Sequence, residues 1–202
     1  MRRALGTAPG VLVVVTGMGQ AAARTAADEW VPQVRAVVVC GVAGGTGGAA
    51  GAGDVVVASG LHLGRGAVPL DVLAPEVPGA VRGLVASADS PVDSAEERAA
   101  LLVGGVLAVE TEAAGWASRC AAQGVPLVVV RGILDTPDAP LGVAATLVRE
   151  GDRGPRAGAL APVVLRPAEW VALLRVGRAA AVAERRAADV AVRVARSLDG
   201  RA

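Results

Sequence analysis

Phe, Tyr and Lys are absent from this 202-residue chain, and its three Trp make up an aromatic content of only 1%. With so few rings, the core has to be built from Val, Leu and Ala, a composition suited to parallel strands covered by helices on both faces. Histidine occurs once, at His62 in SGLHLGRG. With no obvious triad partner, it reads as a packing or loop residue. The two cysteines, Cys40 and Cys120, lack metal-ligand spacing. Both read as buried free thiols, and no metal or other cofactor is expected. An excess of one charge is also missing: the net charge of +1 supplies no basic field for nucleic acid. All 20 basic residues are Arg, which in a chain so rich in Ala, Gly and Val carries no functional weight. Long apolar runs are missing too. Although 53% of residues are hydrophobic and mean hydropathy is +0.51, no stretch approaches the roughly 20 apolar residues of a membrane span. The longest, VLVVVTGMGQAAA, is punctuated by glycine, and MRRALGTAPG does not open as a signal peptide. The expected protein is soluble and cytoplasmic. It forms one domain over 1–202, with 149–202 a C-terminal loop and helical extension.

What is present is an alternation of apolar runs and helical patterns. MRRALGTAPG reads as the tail of a helix and a turn. VLVVV (11–15) reads as a buried strand, and TGMG then turns into an Ala-rich helix over about 20–30. Further strands are expected at 35–40, 55–59, 81–87, 106–110 and 127–133, with an irregular, Pro-rich stretch from 61 to 78. Helices are expected after Asp93 or Ser94 as cap, over 111–124, and from about Pro167 to Leu198, with Gly177 a candidate break. The fold class is therefore α/β: a three-layer sandwich around a largely parallel central mixed sheet.

Three stretches carry candidate chemistry, each beside an ordinary reading. VVVTGMGQAA matches a dinucleotide fingerprint at Gly17, Gly19 and Ala22. The next apolar run, however, ends in Cys40-Gly41 rather than an acid for the ribose, so a dinucleotide site is rejected. What survives is a helix start that suits an anion. CGVAGGTGGAAGAGD follows a buried strand, where glycines let a ligand approach the backbone; the ordinary reading is a surface loop. No Gly-Lys-Ser/Thr follows, so it is not a nucleotide phosphate loop. In the third, AVETEAAG and VRGILDTPD each set an acid after an apolar strand, so Glu112 and Asp135 converge if their strands are neighbours. Singly, Glu112 reads as a first-turn helix acid and Asp135 as a turn residue before Pro137.

The ordered set TGMG, GVAGG, GDVVVAS, VETEAA and VPLVVVRGILDTPD, from about Val11 to Asp138, resembles the nucleoside phosphorylase and nucleosidase superfamily. Its best-known branch cleaves methylthioadenosine and S-adenosylhomocysteine. SADSPVDSAEERAALL and the segment from Ala139 onward are most similar to the hopanoid-associated branch, linked to removing adenine from adenosylhopane. The resemblance implies a purine nucleoside as substrate, with water or phosphate as co-substrate, and a homodimer. It implies that Glu112, in the family's Met-Glu element (here Thr111-Glu112), accepts hydrogen bonds from the ribose hydroxyls. Asp135 would protonate the base at N7, supported by Arg131. Gly41 to Gly45, including Val42 and Gly44, would line the ribose. Met18 would border the 5′ side, and Pro91-Val92 the base. For its role Asp135 must hold a proton near neutral pH, which burial would favour. Two family serines are replaced, by Val42 and Leu134. The family's first strand and its water-activating acid or phosphate loop have no counterpart, so an upstream segment is expected to precede Met1. The rival expectation is a catalytically degenerate nucleoside-binding paralogue.

Overall fold

The computed structural model describes residues 10–63, 70–138 and 167–199. The expected helix tail before Gly10 and the Gly/Pro/Arg-rich segment 149–159 lie outside these residues. In chain order the elements are α1 (Gly19–Trp30), a 3-10 turn (Val31–Gln33), β1 (Val37–Gly45), β2 (Val55–Leu63), β3 (Leu70–Asp71), β4 (Val81–Ser87), α2 (Ala95–Val103), β5 (Val106–Glu110), α3 (Ala113–Gln123), β6 (Leu127–Asp135) and α4 (Pro167–Asp199). Ser94 is the N-cap of α2, its hydroxyl accepting from the Glu97 N–H, as its residue type favours. Gly124 ends α3 in the left-handed conformation at φ 65°. No break occurs at Gly177, because α4 is continuous from Pro167 to Asp199.

The α/β class holds, but in place of a three-layer sandwich around a largely parallel sheet the strands form a mixed, closed sheet. β2 pairs with β4, β4 with β5, β5 with β1, β1 with β6, and β6 with β2, so the strands close into a ring with β3 on the outer edge of β2. The β1–β6, β2–β4 and β4–β5 pairings are parallel; β1–β5, β2–β6 and β2–β3 are antiparallel. Closure comes from long strands that change partners. β1 follows β6 over Val37–Gly44, then meets β5 through only Gly44 and Gly45. Register irregularities at Ala43/Gly44, Ala58/Gly60 and Leu84/Val85 mark where these strands bend, as extra residues in a ladder do.

Two cores flank β2 and β6. Val56, Ala58, Val129 and Ile133 pack with Ala23 and Ala27 of α1 and with Trp116, Ala117 and Cys120 of α3. The alternate residues Val55, Val57, Val128 and Val130 pack against Ala187, Val190, Ala191 and Val194 of α4. The period-2 alternation of a strand thus feeds both faces, which is why β6 is buried at all nine positions. At Gly132 the α4 backbone lies so close that a Cβ would run into the Ala183 carbonyl.

The apolar run 11–15 is not a strand. It forms no ladder with any described residue, and Leu12 and Val15 are 56% and 64% exposed. Its composition favours a strand, but a strand needs a partner edge. No helix among the described residues is long and apolar enough to cross a membrane.

Candidate active site

The carboxyl ends of three strands meet at one place. Gly44 of β1 stands in register with Asp135 of β6 on one side and Val109 of β5 on the other. At about 4.8 Å between strands, the ends of β5 and β6 are therefore roughly 10 Å apart across β1. Ser87, at the end of β4, pairs with Glu110 and accepts the Ala114 N–H at 2.9 Å, bringing a fourth strand end alongside α3. The glycine segment expected as a loop, Gly41 to Gly45, belongs to β1 itself.

Two acid–arginine groups occupy this place. In the first, Arg131 Nη2 donates to Glu110 Oε2 and lies 3.4 Å from Glu112 Oε2. Glu110 and Arg131 are buried, at 5% and 3% exposure. The guanidinium crosses Gly41, where a Cβ would collide with Nη1. The Glu110 carboxylate also accepts the N–H of Glu112 at 3.0 Å and that of Ala113 at 2.9 Å. It thereby takes the orphan donors at the start of α3. Glu112 is accordingly not a first-turn helix acid. It is the non-helical residue before α3, with φ −120° and ψ −34°, and its own side chain does not cap the helix.

Instead, Glu112 Oε1 accepts the Thr111 hydroxyl at 2.6 Å and the Gly19 N–H at 3.1 Å. The helix start that suits an anion is occupied by the protein's own carboxylate. Burial by itself would raise the Glu112 pKa, but the Arg131 charge and the hydrogen bonds from Thr111 and Gly19 outweigh it and hold the carboxyl below its ordinary value.

In the second group, Arg98 Nη1 donates to Asp135 Oδ2 at 2.8 Å, with both side chains nearly inaccessible. Arg98 Nε donates to the Val92 carbonyl at 2.9 Å, and Nη1 reaches the Gly45 carbonyl at 3.3 Å. Asp135 Oδ1 faces Gly44, where a Cβ would lie 3.2 Å from it. Asp135 is therefore neither a turn residue before Pro137 nor a carboxyl in purely apolar surroundings. It is the last residue of β6, and its burial comes with a counter-charge.

Of the residues expected at a site, Thr111, Glu112, Arg131 and Gly41 belong to the first group. Asp135 and Gly44 belong to the second, and Val92 joins it through its carbonyl. Met18 is the residue before α1, next to the Gly19 N–H that meets Glu112, and is 42% exposed. Val42 is half-buried on β1, paired with Gly132. Glu112 and Asp135 occupy separate ion pairs.

Glu110 and Arg98 are the residues that sequence reasoning missed. Glu110 was legible as a second acid, two residues before Glu112. Nothing in AEERAALL separates Arg98 from its charged neighbours. A cleft of about 200 Å³ lies elsewhere, between Gly53–Val55, Gly79 and α4. There Arg186 and Arg193 donate to the Gly53 and Pro78 carbonyls, and none of the expected site residues lines it. Cys40 and Cys120 are free thiols that burial pushes up to about 11.

This α/β chain, with acids gathered at the carboxyl ends of its strands, has the fold of nucleosidase enzymes. A protein from Weissella paramesenteroides assigned as a methylthioadenosine nucleosidase matches with 26% identity and a TM-score of 0.53, over 63% of this chain and 67% of its own. The 5′-methylthioadenosine/S-adenosylhomocysteine nucleosidase of Neisseria meningitidis, solved with methylthio-immucillin-A, matches with 26% identity and a TM-score of 0.52, over 62% and 68%. The S-adenosylhomocysteine nucleosidase of Streptococcus pyogenes, solved with 5-methylthiotubericidin, shares the fold at 24% identity and a TM-score of 0.52, over 61% and 66%. The chain thus spans about two thirds of the length of these enzymes. No protein-family model and no curated protein matches it. The solved structures it resembles are members of the nucleoside phosphorylase and nucleosidase superfamily.

Proposed function

We propose that this protein cleaves the N-glycosidic bond of a purine nucleoside of adenosyl type. The observation that carries the reading is the pair of acid–arginine groups set on either side of the glycine-rich end of β1. Breaking the C1′–N9 bond leaves its electron pair on the base and oxocarbenium-like positive charge on the sugar. Asp135 passes a proton to N7, neutralising the departing purine, a contribution of typically 10²–10⁴-fold. An oxygen of water or phosphate bonds to C1′. With water, the proton it sheds goes to solvent, and Asp135 regains a proton from solvent. Glu112, kept ionised, accepts from the ribose hydroxyls and stabilises the cationic sugar. Arg131 holds Glu112 in place, Gly41, Val42 and Gly44 border the ribose, Met18 the 5′ side, and Val92 the base.

A hopanoid chain as the 5′ group, a homodimer and a cytoplasmic location are finer parts of the same proposal. They rest on the sequence resemblance. The second reading, a nucleoside-binding paralogue without turnover, is favoured by Val42 and Leu134 where the family carries serines.

The test is incubation with adenosine, methylthioadenosine and adenosylhopane, with and without phosphate, following free adenine. Adenine released without phosphate identifies a hydrolase, and a strict phosphate requirement identifies a phosphorylase. Asp135→Asn is expected to lower kcat by at least about 10²-fold. Nucleoside binding without adenine release supports the paralogue, and undiminished release by the Asn variant refutes the assigned acid.

A further inference from the structure

We infer that Arg98 is the positioning residue of the proton donor, fixing Asp135 against the departing base. The inference rests on the nucleosidase reading and adds to it a residue from a different element.

Arg98 lies on α2, a helix whose other described charged residues are exposed, yet it is only 7% exposed itself. Its guanidinium connects three segments. Nε holds the Val92 carbonyl in the stretch before α2, and Nη1 reaches both the Gly45 carbonyl at the end of β1 and Asp135 Oδ2 at the end of β6. A planar fork with fixed donor directions can orient a carboxylate in this way, whereas an ammonium acts as a point charge. With Oδ2 engaged, the second oxygen, Oδ1, lies on the Gly44 side, 3.2 Å from where a Cβ of that residue would stand. Gly44 would also bring a Cβ within 3.0 Å of Arg98 Nη2. The same glycine therefore accommodates the fork and the carboxyl together. Val92 is the residue the family resemblance sets against the base, so one side chain couples the base wall to the proton donor.

A purely architectural ion pair would affect every substrate alike. A positioning role makes the loss depend on how much proton the leaving group needs. Arg98→Gln and Arg98→Lys are compared with the wild type on adenosine and on 4-nitrophenyl β-D-ribofuranoside, whose phenolate departs without protonation. Circular dichroism reports the fold of each variant. The expected result for Arg98→Gln is a fall in kcat on adenosine of about 10²-fold, the scale of general acid catalysis. KM should change little, and the nitrophenyl riboside should lose less than about a tenth as much. Arg98→Lys should recover the charge but not the fork, and fall between the two. If the Gln variant does not fold, the ratio of the two substrates in the Lys variant decides. A wild-type ratio in any folded variant overturns the inference. A wild type that cleaves neither substrate overturns the nucleosidase reading instead.

Discussion

Replacing Arg131 by Met keeps an unbranched apolar stem and removes the charged guanidinium. In the wild type its side chain is 4% exposed and stands between the side chains of Glu110, 0% exposed, and Glu112, 18% exposed. Removing one member of a buried ion pair leaves the other charged and uncompensated, at a cost of about 3–5 kcal/mol. Here two carboxylates would be left beside each other. For a chain of this size each kcal/mol lowers Tm by about 2–4 °C, so the expected fall is about 6–20 °C at pH 7. The loss also has a pH signature. The Glu112 carboxyl is held below its ordinary value of 4.5 in the folded protein, with Arg131 the foremost cause of the lowering. Stability from a depressed carboxyl is fully present above the unfolded value and is lost as pH falls through the folded one. The gap between wild type and Arg131→Met should therefore be widest near pH 7 and narrow below about pH 4.5. Thermal unfolding followed by circular dichroism from pH 3.5 to 7.5 measures both. A variant within 2 °C of the wild type at pH 7, or a gap unchanged in acid, would refute the reasoning.

Other perturbations follow from single contacts. Gly132→Ala should cost about 1–3 kcal/mol, because the added methyl meets the Ala183 carbonyl of α4; urea unfolding should show a lower midpoint with an unchanged slope. Since burial pushes the Cys40 and Cys120 thiols up to about 11, iodoacetamide at pH 8 should modify neither in the folded protein and both in 6 M guanidinium, read by intact mass. Rapid labelling of either in the folded state would show that its surroundings are open.

Much of the fold was legible because its apolar runs are short and clearly bounded. The edges expected for Val81–Ser87 and Val106–Glu110 are those observed, and β6 runs two residues past its expected end. Those two residues matter, since they carry Asp135 as part of a strand rather than a turn. The run 11–15 shows the limit of composition. Val and Leu favour a strand, yet the hydrogen bonds that make one belong to a neighbour far along the chain. The same holds for Arg98. Its burial depends on Val92, Gly45 and Asp135, and only the last of these carries a charge that a reader of sequence would try to pair.

The sequence by itself determined the alternation of strands and helices, the largely aliphatic core, and the acids at strand ends. All of these follow from local residue type and period. Tertiary structure alone decided that the sheet closes, that Glu110 caps α3, and that each candidate acid meets its own arginine. Strand pairing and ion pairing join residues tens of positions apart, and no local pattern encodes which distant partner a charged side chain will find.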